Sequence, residues 1–132
     1  MLVHFPIALF MSALGLGAVS RIFRKDFLYQ TAVHIYILAA LVTPFVVLTG
    51  LWEAEELRLK HPILNLHKTF ALLLMFSSLL SLWILWLSHK VSPKCFKTAF
   101  FILAVLMAVF VSVTAFYGGK MVFEYGVGVE VQ

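Results

Sequence analysis

Charged side chains are scarce in this sequence: Asp, Glu, Lys and Arg make up only 12% of its 132 residues. A soluble domain usually has about a quarter of its residues charged. Hydrophobic residues instead reach 63%, with a mean hydropathy of +1.03. One small core cannot bury that much apolar surface, so lipid must solvate part of it. The composition therefore predicts a single integral membrane domain over residues 1–132.

Cysteine is almost absent too, since Cys95 is the only one. The chain can therefore form no internal disulfide, and without a Cys-x-x-Cys-His motif it has no signature for covalent c-type haem. The sequence also has no phosphate-binding loop, hydrolase elbow or zinc-protease motif, which leaves little support for an enzyme. The net charge of +4 indicates basic loops beside anionic lipid rather than nucleic-acid binding.

Long apolar runs dominate what is present. Four of them, at about residues 3–19, 31–52, 62–88 and 98–117, are each long enough to cross the hydrocarbon core of a bilayer. The first lacks the basic start and small-residue cleavage site of a signal peptide, so we expect it to be retained. Short connections predict an all-α, up-down bundle. Pro44 should kink the second span, and residues 118–132 should form a short outer tail.

The basic residues suggest an orientation. The loops after the first and third spans hold Arg21, Arg24, Lys25, Lys90, Lys94 and Lys97, against Asp26 alone. The opposite side holds four basic residues and five acidic ones. The positive-inside rule then predicts a multi-pass protein with both termini on the outer side.

Small and weakly polar residues favour helix contacts in lipid. Three spans carry such a stripe, which we expect to face inward: His4, Ala8, Met11, Gly15 and Ala18; His67, Ala71, Leu74, Ser78, Ser81 and Leu85; and Ala104, Ala108, Ser112, Ala115 and Gly119. The second span should instead turn its small face inward, with Ala40, Thr43, Val47 and Gly50. Its bulky stripe should face lipid or a partner: His34, Leu38, Leu41, Phe45, Leu48 and Trp52.

Two histidines head these inward stripes at the same depth. Ionisable groups inside a membrane are costly and commonly mark function. His4 and His67 would begin diagonal helices on the outer side, where they could ligate the iron of one haem b from opposite faces. Arg58, Lys60 and Lys68 lie on that side and could pair with haem propionates. The alternative is that each histidine simply places its polar tip in the interface.

Other histidine and carboxylate sites are less favoured. His34 and His89 could hold a second haem, although His34 lies on the bulky stripe while His89 is close to the inward stripe of the third span. Glu53, Glu55 and Glu56 with His61 could bind a divalent metal, but such a run is more often a solvated helix end.

Several segments resemble the bacterial membrane family known as domain of unknown function 2231. They are Leu2-Val3-His4-Phe5-Pro6-Ile7-Ala8-Leu9, Thr49-Gly50, Leu66-His67-Lys68, Tyr117-Gly118-Gly119-Lys120-Met121-Val122 and Gly126-Val127-Gly128-Val129. The resemblance implies a four-helix protein of the bacterial inner membrane, often beside or fused to c-type cytochromes. His4 and His67 match the family's histidines; the other three do not. Members often carry a further His-Pro before the opening segment, which this sequence does not have.

Three hypotheses follow. The first is a b-type cytochrome that passes electrons to or from a quinone or a c-type cytochrome, with His4 and His67 as axial ligands. The second is a cofactor-free structural subunit of a larger respiratory complex, docked through the bulky stripe of the second span. The third is a small metal or proton-coupled transporter that uses the outer glutamates and His61.

Overall fold

A computed structural model describes residues 4–56 and 62–124, although not the side chains of residues 55 and 56. Four helices account for nearly all of this: α1 (His4–Phe23), α2 (Asp26–Glu56), α3 (Pro62–Val91) and α4 (Pro93–Phe123). All four are long and apolar enough to cross a membrane. Helices satisfy their own backbone hydrogen bonds, which lipid cannot do for them. The prediction of an all-α bundle of four transmembrane helices is confirmed.

The helices form a ring in chain order, with α1 packed on α2, α2 on α3, α3 on α4 and α4 on α1. α1 and α3 are therefore diagonal, as predicted. One end of the ring, here called the termini end, gathers the start of α1 and α3 and the end of α2 and α4. The other, the turn end, holds the α1–α2 and α3–α4 turns.

The helices extend beyond the predicted spans. α2 begins at Asp26 and runs through Pro44 without ending. α4 begins directly after Ser92, whose hydroxyl accepts a hydrogen bond from the Cys95 amide at 3.1 Å. A serine N-cap followed by proline at the first helical position is a favourable helix start. α4 then continues to Phe123, so the first part of the predicted outer tail is helical, and residues 125–132 lie outside the described residues.

Pro44 removes one backbone donor from the middle of α2. Its missing N–H would have bonded to the Ala40 carbonyl one turn earlier. The Ser78 hydroxyl of α3 lies 3.4 Å from that carbonyl and 2.7 Å from the Met75 carbonyl of its own helix. A hydroxyl has one proton, so Ser78 divides it between the two acceptors, and α3 partly satisfies the carbonyl that Pro44 leaves free.

Aromatic rings fill the centre of the bundle. Tyr36 packs edge-on against Phe10 and Phe100 at centroid distances of 5.4 and 5.7 Å, and all three side chains are fully buried. Gly17 of α1 makes room for this cluster, because a Cβ there would lie 3.0 Å from Phe100 Cε1. The Tyr36 hydroxyl has no hydrogen-bond partner among the described residues. Ser81 lies near it, but its own hydroxyl donates to the Ser78 carbonyl at 2.7 Å.

The aromatic core explains which predicted faces were wrong. α1 buries Pro6, Phe10, Ala13, Gly17 and Ser20, whereas the predicted stripe through Ala8, Met11, Gly15 and Ala18 is exposed, as is His4. Both faces of α1 carry small residues, and the face that also carries Phe10 packs on Tyr36. In α4, Ala104 and Ala108 are buried as predicted, but Ser112 is exposed.

The predictions for α2 and α3 hold better. α3 buries Ala71, Leu74, Ser78, Ser81 and Leu85. α2 buries Ala40, Thr43 and Val47, although Gly50 is exposed, and its bulky stripe with His34 is exposed throughout. His89 is exposed and not inward-facing. Ser88 takes the buried position beside it, and the His89 ring rests edge-on against Phe96 at 5.4 Å.

Candidate functional site

A cavity of about 130 Å³ lies at the termini end and is lined by all four helices. Its walls are mainly apolar, with four polar side chains among them: Thr43, His67, Lys68 and Thr114. The two threonines donate their hydroxyl protons within their own helices, to the carbonyls of Ala39 and Phe110. Their hydroxyl oxygens can still accept, but a ligand that needs a donor or a charged partner must find it at His67 or Lys68.

His67 is held in one orientation by α4. Its Nδ1 lies 3.1 Å from the Thr114 carbonyl oxygen. A carbonyl can only accept, so Nδ1 must carry the proton and donate it. In the neutral ring, Nε2 then holds a lone pair. Histidines that ligate metals are commonly fixed in this way, with the other ring nitrogen bonded to a backbone carbonyl.

The end of α4 is shaped to receive this ring. Gly118 lies directly against it, because a Cβ on Gly118 would be 3.2 Å from His67 Cε1 and 3.5 Å from Nδ1. Phe70 and Tyr117 stack at 5.1 Å with nearly parallel rings, which ties α3 to α4 beside His67. A Cβ added to Gly119 would have no atom within 4 Å. The two adjacent glycines therefore differ: Gly118 is required for close packing and Gly119 is not.

The other predicted ligands are not brought to this cavity. His4 is exposed and is absent from the lining residues, whereas Lys68 is among them. Arg58, Lys60 and His61 lie outside the described residues. His34 and His89 are both exposed, at the opposite end of the bundle. The His34 ring nitrogen Nδ1 bonds to the Gln30 carbonyl of its own helix at 2.7 Å.

A haem held by His4 and His67 does not match this arrangement. The tautomer of His67 suits an iron ligand, but no second histidine of residues 4–56 and 62–124 lines the cavity. Its volume of about 130 Å³ is also below the roughly 300–1,000 Å³ typical of larger organic ligands. Haem binding therefore stays a prediction, with His67 as the residue that fits it.

The metal-transport prediction finds no support in the described residues. Within residues 4–56 and 62–124, no three His, Cys, Asp or Glu side chains are grouped as a metal ion would require. Of the predicted metal-binding residues, only the side chain of Glu53 is described.

The sequence reasoning missed the groups that hold and surround His67. It found His67, but not the Thr114 carbonyl, the contact with Gly118 or the lining residue Met121. The Tyr117-Gly118-Gly119 run was the available signal, because paired glycines near the end of a membrane helix suggest close approach of another group.

Comparison with known proteins gives the family of this chain. No curated protein and no solved structure matches the chain. The model of the family described as predicted membrane protein (DUF2231) matches residues 1–131, so the chain, with its four membrane-spanning helices and its cavity at His67, belongs to that family.

Proposed function

We propose that this protein is a quinol-binding subunit of a membrane redox system, and that the ring of the quinol occupies the cavity beside His67. The observation that carries the proposal is the fixed His67 ring, whose Nδ1 donates to the Thr114 carbonyl and leaves Nε2 as an acceptor. A quinol hydroxyl is a donor and matches that acceptor. A quinone carbonyl does not match it while the imidazole is neutral.

The cavity is close in size to one that holds a single six-membered ring. It measures about 130 Å³, and an apolar cavity of about 150 Å³ in another protein binds benzene. The apolar walls suit the ring, and an isoprenoid tail can remain in lipid. Lys68 also lines the cavity, and we infer that its ammonium group donates to the second ring oxygen. A quinol therefore matches the site in both size and polarity.

The test is a titration of the purified protein with a decyl-substituted benzoquinol, followed as a saturable rise in melting temperature. His67→Ala should weaken binding by about tenfold or more, since it removes one of two polar contacts from a mostly apolar site. His34→Ala is the matched control, because that histidine is exposed at the other end of α2. Equal binding by both variants, or no saturation with the unmodified protein, would overturn the proposal.

Haem b is the second candidate, favoured by the same His67 tautomer. When bound, haem would supply one-electron chemistry, and this chain would contribute Nε2 of His67 as an iron ligand. A reduced-minus-oxidised spectrum of protein expressed with ample haem decides between the candidates. Bands of the b type that vanish in His67→Ala and persist in His34→Ala would favour the cytochrome, and their absence would remove it.

Both candidates place the protein beside redox partners such as a c-type cytochrome or another membrane subunit. The exposed bulky stripe of α2, from Leu38 to Trp52, is a surface that a subunit contact would cover. A cofactor-free structural subunit uses only that stripe. For such a structural subunit, His67→Ala would change neither the quinol titration nor the visible spectrum, and this distinguishes it from the proposal.

A further inference from the structure

A second concave site lies at the turn end of the bundle, away from His67. It is a cleft of about 380 Å³ between the end of α1, the start of α2 and the first turns of α4. Its lining combines basic, hydroxyl and aromatic groups: Ser20, Arg21, Arg24, Asp26, Tyr29, Lys97, Thr98 and Phe101. This composition differs from the apolar cavity beside His67 and indicates a different ligand.

The charges in the cleft are unbalanced. Three of its side chains are cationic and one is anionic. Asp26 pairs with Lys97 at 3.6 Å. In the described part of the chain, Arg21 and Arg24 have no carboxylate within ion-pair distance. The Arg21 guanidinium lies over the Phe101 ring at 5.0 Å. Among the described residues, these two arginines are thus left without an anionic partner.

Arg24 occupies its place at a conformational cost. Its φ is 52°, a left-handed conformation that non-glycine residues rarely adopt. It follows the last residue of α1, and the Lys25 amide donates to the Ser20 carbonyl at 3.2 Å. That pattern is the Schellman ending of a helix, in which glycine is the usual residue at the left-handed position. Glycine would relieve the backbone there, but it would remove a guanidinium from the cleft.

We propose that this cleft binds the phosphate of an anionic phospholipid headgroup. The planar guanidinium forms paired hydrogen bonds to phosphate oxygens, and basic pockets between membrane helices are known sites for such headgroups.

The surroundings favour a lipid over a free phosphate ion. The cleft lies where the apolar span of α1 ends, and exposed apolar side chains flank it at Ile22, Phe23 and Phe27. Acyl chains attached to the bound phosphate would cover these side chains, whereas a free phosphate ion would leave them exposed. The headgroup and the chains thus each find a matching surface.

The experiment measures the melting temperature of the full protein in an uncharged detergent. Short-chain phosphatidylglycerol should raise it in a saturable way. Short-chain phosphatidylcholine should not, because its ammonium group would meet the cationic side chains of the cleft, and neither should inorganic phosphate. Arg24→Gly should weaken the apparent affinity for phosphatidylglycerol by about tenfold or more, since a charged hydrogen-bonding group is lost. Because glycine suits φ 52°, this variant should fold normally.

Two further variants make the outcome decisive. Arg21→Gln should weaken binding as Arg24→Gly does. Lys94→Gln removes the same charge from an exposed residue at the same end that is not among the lining residues of the cleft, and it should change the affinity by no more than about twofold. If Lys94→Gln weakens binding as much as the arginine variants do, the attraction is unspecific and the proposal fails. It also fails if inorganic phosphate reproduces the stabilisation or if phosphatidylglycerol does not saturate.

Discussion

The contact between His67 and Gly118 gives the sharpest prediction. Replacing Gly118 by Ala would place a Cβ 3.2 Å from His67 Cε1, so the ring must move by a few tenths of an ångström. The Gly119→Ala change is its natural control. It lies one residue further along the same helix, and its Cβ would meet nothing within 4 Å.

The magnitude follows from two opposing terms. An alanine in place of a glycine inside a helix gains about 1 kcal/mol of helix propensity, and both variants share that gain. Only Gly118→Ala also strains the 3.1 Å bond from His67 Nδ1 to the Thr114 carbonyl. An interhelical hydrogen bond in a membrane protein is worth about 0.6 kcal/mol on average. The steric contact between the new Cβ and the His67 ring destabilises Gly118→Ala further. We therefore expect Gly119→Ala to be the more stable variant by about 0.5–1.5 kcal/mol.

Two assays check this reasoning. Reversible unfolding of the purified protein gives the difference in the free energy of unfolding. Nitrogen NMR of the imidazole ring reports its tautomer directly, which should be fixed, with the proton on Nδ1, in the unmodified protein and in Gly119→Ala. In Gly118→Ala the tautomer should be mixed. Equal stability and equal imidazole spectra in the two variants would refute the idea that Gly118 positions His67.

Three other substitutions test the rest of the fold. Arg24→Gly should raise the free energy of unfolding by about 1 kcal/mol, because glycine relieves a left-handed backbone; a loss measured by the same unfolding assay would contradict this. Gly17→Ala should lower it by about 1–3 kcal/mol through overpacking of the aromatic cluster, whereas Gly15→Ala, with open space around its Cβ, should not destabilise. Ser78→Ala should cost about 0.5–1.5 kcal/mol, and less when Pro44→Ala restores the backbone donor, so a double-mutant cycle with no coupling would rule out their compensation.

Composition and hydropathy were sufficient to predict much of this fold. Because lipid forces the backbone into helices that satisfy their own hydrogen bonds, apolar length predicted four spans, and the short connections between them predicted their up-down order. The exposed stripe of α2 could also be predicted, because its bulky residues share one side of the helix. The helix ends were harder to predict, because α4 continues past Gly118 and Gly119, where sequence preference opposes a helix but neighbouring packing keeps it.

The sequence by itself determined that this protein lies in a membrane and that His67 starts an inward face. Only the tertiary structure decided that His4 is exposed and that His67 bonds to Thr114. The physical reason is that α1 has small residues on both sides, so its rotation depends on where Phe10 packs against Tyr36 of α2. A pattern along one helix carries no information about that partner, and the site at the termini end depends on it.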